Sequence, residues 1–136
     1  MQGGYFDAIV CDSSDPVGPA NVLFQKAFFD SLKRILNPVG GVLCTQGESL
    51  WLHLPLIKST RDTLLEVFPC VLYAYSSIPT YPGGGIGYLL STSSPDVSPP
   101  NVPARSVAAP LRFYSAEIHN SVYGGPRTLL YYTQST

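Results

Sequence analysis

The run Tyr5-Phe6-Asp7-Ala8-Ile9-Val10-Cys11 and the nonapeptide after it, Asp12-Ser13-Ser14-Asp15-Pro16-Val17-Gly18-Pro19-Ala20, decide how this 136-residue chain folds. The first has the length and β-branched content of a buried strand bounded by turn residues. The second puts a carboxylate at that strand's carboxyl end, where the loops of an open α/β sheet diverge and leave a crevice for ligands. Two aspartates three positions apart, stiffened by Pro16, Gly18 and Pro19, describe an acidic loop of fixed shape. Such a loop suits a cationic ligand.

Outward from it, the pattern predicts a helix over roughly 22 to 36, capped by Asn21, with Phe24, Phe28, Leu32 and Ile35 as its apolar stripe. Lys33 and Arg34 fall in the last turn, where cations complement the helix dipole. Asn37-Pro38-Val39-Gly40-Gly41 stops it, and Val42-Leu43-Cys44-Thr45 comes next as a second buried strand. This strand also ends in polar residues, Gln46-Gly47-Glu48-Ser49. A second helix is expected from about Leu50 to Phe68, with Leu54, Ile57, Leu64, Leu65 and Phe68 as its apolar face and Pro55 tolerable only in a first turn. Strands over 71–78 and 86–92 flank the turn Pro79-Thr80-Tyr81-Pro82-Gly83-Gly84-Gly85. That connection is too short for a parallel crossover, so the two should pair as an antiparallel hairpin. Residues 93–110 hold five of the thirteen prolines and form a connection, and 111–136 show no clean period.

Composition narrows the function classes. One domain with a real core fits the length. The 12% charged content is about half the usual quarter, the net charge is −1, and no Lys/Arg cluster recommends nucleic acid as a partner. No apolar run approaches the roughly 20 residues that span a bilayer, and no basic-then-apolar leader opens the sequence. Cys11, Cys44 and Cys70 make neither a metal pair nor an even disulfide framework; Cys11 and Cys44 are expected to be buried free thiols, in a reducing, cytoplasmic setting. His53 and His119 have no third ligand at metal-site spacing, so no metal is expected.

Four stretches carry a resemblance: DSSDPVGPA at 12–20, LFQKAFFDSL at 23–32, CTQGESLWLH at 44–53 and IPTYPGGGIGYLL at 78–90. Over residues 5–119 the chain resembles the spermidine synthase family of polyamine aminopropyltransferases. The resemblance implies an α/β fold of the Rossmann-like, methyltransferase type with a doubly wound sheet. Of that sheet this chain would hold the carboxyl-terminal β-α-β-α-β-hairpin portion, without the amino-terminal strands and the glycine-rich nucleotide loop. It implies a cytoplasmic, homodimeric enzyme that moves an aminopropyl group from decarboxylated S-adenosylmethionine to putrescine, giving spermidine and methylthioadenosine. No prosthetic group is involved, and a polyamine is the partner. By motif, Asp12 matches the proton acceptor. Ser13, Ser14, Asp15, Tyr81 and Gln46 match the diamine site, and Pro19 and Ala20 the lining of the nucleoside thioether. Glu48 aligns near the amine tail or caps the second helix.

The chemistry explains these residue types. Free putrescine is a dication, since each amine has a pKa near lysine's, about 10.4. An ammonium has no lone pair, so one end must lose a proton before it attacks the methylene beside the donor's sulfonium, and a carboxylate in hydrogen-bond reach can receive that proton. Carboxylates also favour the charged amine, so binding and activation must be divided. Activation falls to Asp12, which leaves the strand first, and anchoring to Asp15 with Tyr81. In-line alignment of nitrogen, carbon and sulfur supplies on the order of 7–11 kcal/mol.

Two departures qualify the expectation. No G-x-G-x-x-G stands between a strand and a helix, and Gly83-Gly84-Gly85 belongs to a turn. The donor site is then at most partly present, and the chain alone is expected to be weakly active or inactive. After His119 the family continues as a helix, whereas Val122-Tyr123-Gly124-Gly125-Pro126-Arg127 should break one, so 1–119 is expected to be a partial catalytic domain and 120–136 a divergent tail. Two other readings stay open: putrescine N-methyltransferase, which shares these motifs, and a non-catalytic fragment pairing with full-length subunits.

Overall fold

A computed structural model describes residues 4–95 and 111–123. Ala8–Cys11 form β1, a 3-10 turn covers Gly18–Phe24, Lys26–Ile35 form α1 and Val42–Gln46 form β2. Leu50–Leu65 then form α2, Cys70–Ser77 β3, Gly85–Thr92 β4 and Ala116–Tyr123 α3. The four strands make one sheet in the order β1-β2-β4-β3. β1 runs parallel to β2, with Ile9 beside Leu43 and Val10 beside Cys44. β4 is antiparallel to β2 and to β3, so the expected hairpin is present, with β4 inserted between β2 and β3.

One face of the sheet holds the core. Leu43, Leu89 and Val71 meet Phe29 and Leu36 from α1 and Leu50, Ile57 and Leu64 from α2, with Val67 and Phe68 beneath. Successive strand residues point to opposite faces, so Val10, Cys44 and Leu90 lie on the other side. There α3 packs against β3, and Tyr123 approaches Cys44 closely enough that the thiol adds to the rise of the tyrosine's pKa. Val10, beyond it, is 76% exposed. The arrangement is a mixed four-stranded α/β sheet with α1 and α2 on one face and α3 on the other, in keeping with the α/β fold that the resemblance implies.

Several boundaries differ from expectation for identifiable reasons. Asn21 caps nothing: Gly18 takes a left-handed φ of +61° and Pro19 opens a 3-10 turn. Extended Gln25 breaks that turn, and Gln25 itself is the N-cap of α1. Phe24 is thus outside the helix, and the residue α1 buries fully is Phe29, which the expected stripe omitted. α2 ends at Leu65, itself 39% exposed, rather than at Phe68. Pro55 is accommodated by a break at His53 (φ −128°, ψ +31°), which puts the proline in the first turn of the next helical segment, where its missing N–H costs nothing. Cys11 and Cys44 are free but only half-buried. α3 includes Val122 and Tyr123, two residues of the stretch expected to break a helix. Residues 96–110 and 124–136, which include the proline-rich connection and most of the expected tail, lie outside the described residues.

Candidate active site at the carboxyl edge of the sheet

Topology brings three loops to one edge. β1 and β2 are parallel, and β3 runs the same way as β2 because both are antiparallel to β4. The loops after β1, β2 and β3 therefore open side by side. They carry Asp12 to Ala20, Gly47 to Ser49 and Ile78 to Gly84 respectively.

Between them lies a cavity of about 230 Å³ lined by Val10, Cys11, Asp12, Cys44, Gln46, Ile78, Tyr81, Ile86 and Tyr88. Asp12, Gln46 and Tyr81, drawn from three separate stretches of sequence, thus share one wall. Burial raises the Tyr88 phenol's pKa, and Cys44, Tyr81 and Asp12 add to the rise. That ring is kept protonated as a hydrogen-bond donor beside the carboxylate. A larger cavity, about 530 Å³, opens near Lys33, Pro38, Leu65, Val67, Phe68, Pro69 and Ser93, among the loops at the opposite edge. It holds no carboxylate, and the Lys33 ammonium there donates to the Val67 carbonyl and lies 5.5 Å from the centre of the Phe68 ring. Size favours that cavity, and chemistry favours the smaller one.

The Tyr81 turn is held by its own backbone. Ile78 N–H donates to Gly84 O (3.0 Å), Tyr81 N–H to Ile78 O (3.0 Å) and Gly84 N–H to Tyr81 O (2.9 Å). Gly83 has φ +79° and faces Ser49, whose Oγ would lie 3.0 Å from any added Cβ. A side chain at Gly83 would be strained and crowded at once.

Glu48 is held as firmly. Its backbone is left-handed (φ +53°), which is unusual for a residue other than glycine. Its carbonyl accepts from Gly87 N–H (2.8 Å) and from the Tyr73 hydroxyl (3.1 Å). Its carboxyl, only 19% exposed, lies 3.2 Å from His53 Nδ1, with Asp15 of the acidic loop near enough to oppose its ionisation. Burial lifts the Glu48 pKa above the ordinary glutamate value; Asp15 adds to the rise, and His53 opposes it. Burial likewise drives the Tyr73 phenol far above its usual range, so it remains a donor.

The expected site residues separate into groups. Asp12, Gln46 and Tyr81 meet in the cavity. Asp15 does not line it but lies near Glu48. Ser13 is half-buried and Ser14 exposed in the loop between the aspartates, and Pro19 and Ala20 sit in the 3-10 turn; none of the four is among the residues lining the cavity. Trp51, inside the 44–53 stretch that carries the resemblance, is 65% exposed. Sequence reasoning missed Tyr88, Ile86 and Ile78. The alternation in 86–92 puts Ile86 and Tyr88 on one face and could have found both. It also missed the partnership of His53 with Glu48, which depends on the break in α2 and carries no sequence signal.

Fold and site together define a Rossmann-like, methyltransferase-type α/β domain with an acidic cavity at its strand ends. Residues 1–100 match the family model described as the spermine/spermidine synthase domain, and the chain belongs to that family. It is 46% identical over 133 residues to putrescine N-methyltransferase 3 of Nicotiana tabacum, covering 90% of this chain and 35% of that protein. It is 46% identical over 129 residues to spermidine synthase 1 of Pisum sativum, covering 88% of this chain and 38% of that one. A solved spermidine synthase in complex with the transition-state analogue AdoDATO superposes with a TM-score of 0.78 at 23% identity, over 93% of this chain and 44% of that one. The chain therefore spans less than half the length of each of these relatives.

Proposed function

We propose that this chain supplies the amine-acceptor side of a polyamine aminopropyltransferase site, with putrescine as acceptor and decarboxylated S-adenosylmethionine as donor. The convergence of Asp12, Gln46 and Tyr81 on one cavity carries the reading. Asp12 takes a proton from one ammonium of putrescine. The freed nitrogen attacks the methylene beside the sulfonium, an N–C bond forms as the C–S bond breaks, and the electron pair leaves on sulfur as neutral methylthioadenosine. Gln46 and the Tyr81 hydroxyl are neutral acceptors. They can hold an ammonium without raising its pKa as a third carboxylate would. Asp15 anchors the far end of the diamine, and Ser13, Ser14, Pro19 and Ala20 belong to the same loop where it turns toward the donor.

The similarity to putrescine N-methyltransferases favours one second reading with the same acceptor, in which ordinary S-adenosylmethionine gives up its methyl group instead. Competition between the two donors distinguishes these readings. Spermidine with methylthioadenosine identifies the first, and N-methylputrescine with S-adenosylhomocysteine the second. Putrescine binding tests the shared acceptor chemistry: the chain should bind it, and Asp12→Asn should bind it more weakly. Equal binding by both would contradict the assignment. Turnover by the isolated chain is expected to be slow or absent, because the sequence contains no glycine-rich nucleotide loop between a strand and a helix. Full turnover would refute that part.

A further inference from the structure

We propose that Tyr88 is the inner wall of the amine cavity and sets the length of acceptor it takes, admitting a short diammonium and refusing a longer one. This deepens the amine-binding reading and rests on it. The cavity lies on the sheet face opposite α1 and α2, and β4 runs inward from the carboxyl edge, antiparallel to β2. Along that face β4 presents Ile86, Tyr88 and Leu90 in turn, and the cavity is lined by the first two and not by Leu90. Across β2 and β1 it reaches one layer deeper, to Cys44 and Val10, which are level with Leu90. On the other side of Tyr88 stands Ala74 of β3, 6% exposed and outside the cavity. The Tyr88 ring therefore separates the cavity from the part of this face where α3 packs on β3.

The backbone fixes where that ring stands. Tyr88 is paired with Gln46 across β4 and β2. Just beyond the pair, Gly47 N–H donates to Gly87 O (2.7 Å) and Gly87 N–H to Glu48 O (2.8 Å), so two residues after β2 oppose one of β4, a β-bulge. Gln46 and Tyr88 beside it form a non-hydrogen-bonded pair, the kind whose side chains lie closer together. The strands are so near here that a Cβ on Gly47 would lie 3.1 Å from the Tyr88 nitrogen. Burial keeps the phenol protonated, so its hydroxyl joins Gln46 and Tyr81 as a neutral partner for an ammonium. Volume agrees with the wall. At about 30 Å³ for each non-hydrogen atom, the share of a water molecule in the liquid, about 230 Å³ takes roughly eight atoms, against putrescine's six and spermidine's ten. A longer chain would have to leave by the Tyr81 rim, because Tyr88 blocks the way inward.

The test is calorimetry of the whole 136-residue chain with putrescine and with the eight-carbon α,ω-diamine, which keeps putrescine's two charges at spermidine's atom count. Wild type should bind the longer diamine at least about tenfold more weakly, the scale on which a pocket rejects surplus methylenes. Tyr88→Val removes the ring with a residue suited to a strand, and the gap between the two diamines should close. Tyr88→Phe keeps the ring, so the gap should persist. Closure in the one variant and not in the other is a change of preference, which a merely structural tyrosine would not produce. The wild-type comparison and Tyr88→Phe decide the matter even where Tyr88→Val does not fold. Equal binding of both diamines by wild type, a gap that persists in folded Tyr88→Val, or a gap that closes in Tyr88→Phe would overturn the proposal and leave the amine reading intact. Binding of neither diamine would overturn both.

Discussion

The two faces of this sheet are built to different ends. Under α1 and α2 the side chains of Phe29, Leu43, Leu64 and Leu89 are fully buried, and removing atoms there costs folding energy. At the carboxyl edge of the other face Tyr81 is 47% exposed, Asp12 is open to solvent, and the polar groups are positioned by backbone hydrogen bonds rather than by packing. The difference teaches where stability and chemistry are stored. Substitutions on the first face should change the folded population, and substitutions at the second should change what the folded protein binds.

The sharpest contrast comes from Phe29→Ala, which should lower unfolding free energy by about 3–5 kcal/mol in urea denaturation; a loss under about 1 kcal/mol would mean the core has been misassigned. Gly87→Ala stands on the boundary between the two regions, because a Cβ there would meet the Tyr73 ring at 2.0–2.3 Å. It should cost about 1–3 kcal/mol through overpacking and displace the tyrosine from the Glu48 carbonyl. Unchanged stability would show that the ring is free to move aside.

Asp12→Asn should leave stability within about 0.5 kcal/mol. Its putrescine affinity should fall on the order of ten- to a hundredfold, the range for losing a hydrogen bond to a charged group. A large stability loss would make this carboxylate a structural residue. Tyr81→Phe deletes a single neutral hydroxyl, worth about 0.5–1.5 kcal/mol, so its affinity should drop by a few- to about tenfold. The smallest effect is on the pH dependence of folding. Because the folded state raises the Glu48 pKa above its ordinary value of 4.5, folded protein binds the proton more tightly than unfolded protein. The contribution is present below that value and is lost as pH rises through the folded pKa. Glu48→Gln should flatten this slope in thermal melts between acid and neutral pH, and an unaltered slope would assign it to other carboxyls.

How much of this was legible in the sequence depends on the range of the forces involved. β1, β2 and the β3–β4 hairpin were readable because period, length and turn chemistry are local. Asp12, Gln46 and Tyr81 could be singled out together only through their motifs, and the shared direction of β1, β2 and β3 explains why the three line one cavity. The start of α1 was misread because Asn21 looks like a cap, while left-handed Gly18 and Pro19 direct the chain into a 3-10 turn first. Leu65 was misassigned to the apolar face because it lies one position, about 100° of helix, beyond Leu64, the residue that α2 buries there. The approach of Glu48 to Asp15 was not legible at all. It spans two loops and depends on one residue adopting a conformation that its side chain disfavours.

The central claim is that the small acidic cavity, and not the larger one near Lys33, receives a polyamine cation. Titrating putrescine into isotopically labelled chain and following amide shifts tests it most directly. The account predicts changes clustered at Asp12, Gln46, Tyr81 and Tyr88 that weaken in Asp12→Asn. Shifts gathered instead around Lys33, Val67 and Phe68, or none at millimolar putrescine, would contradict it.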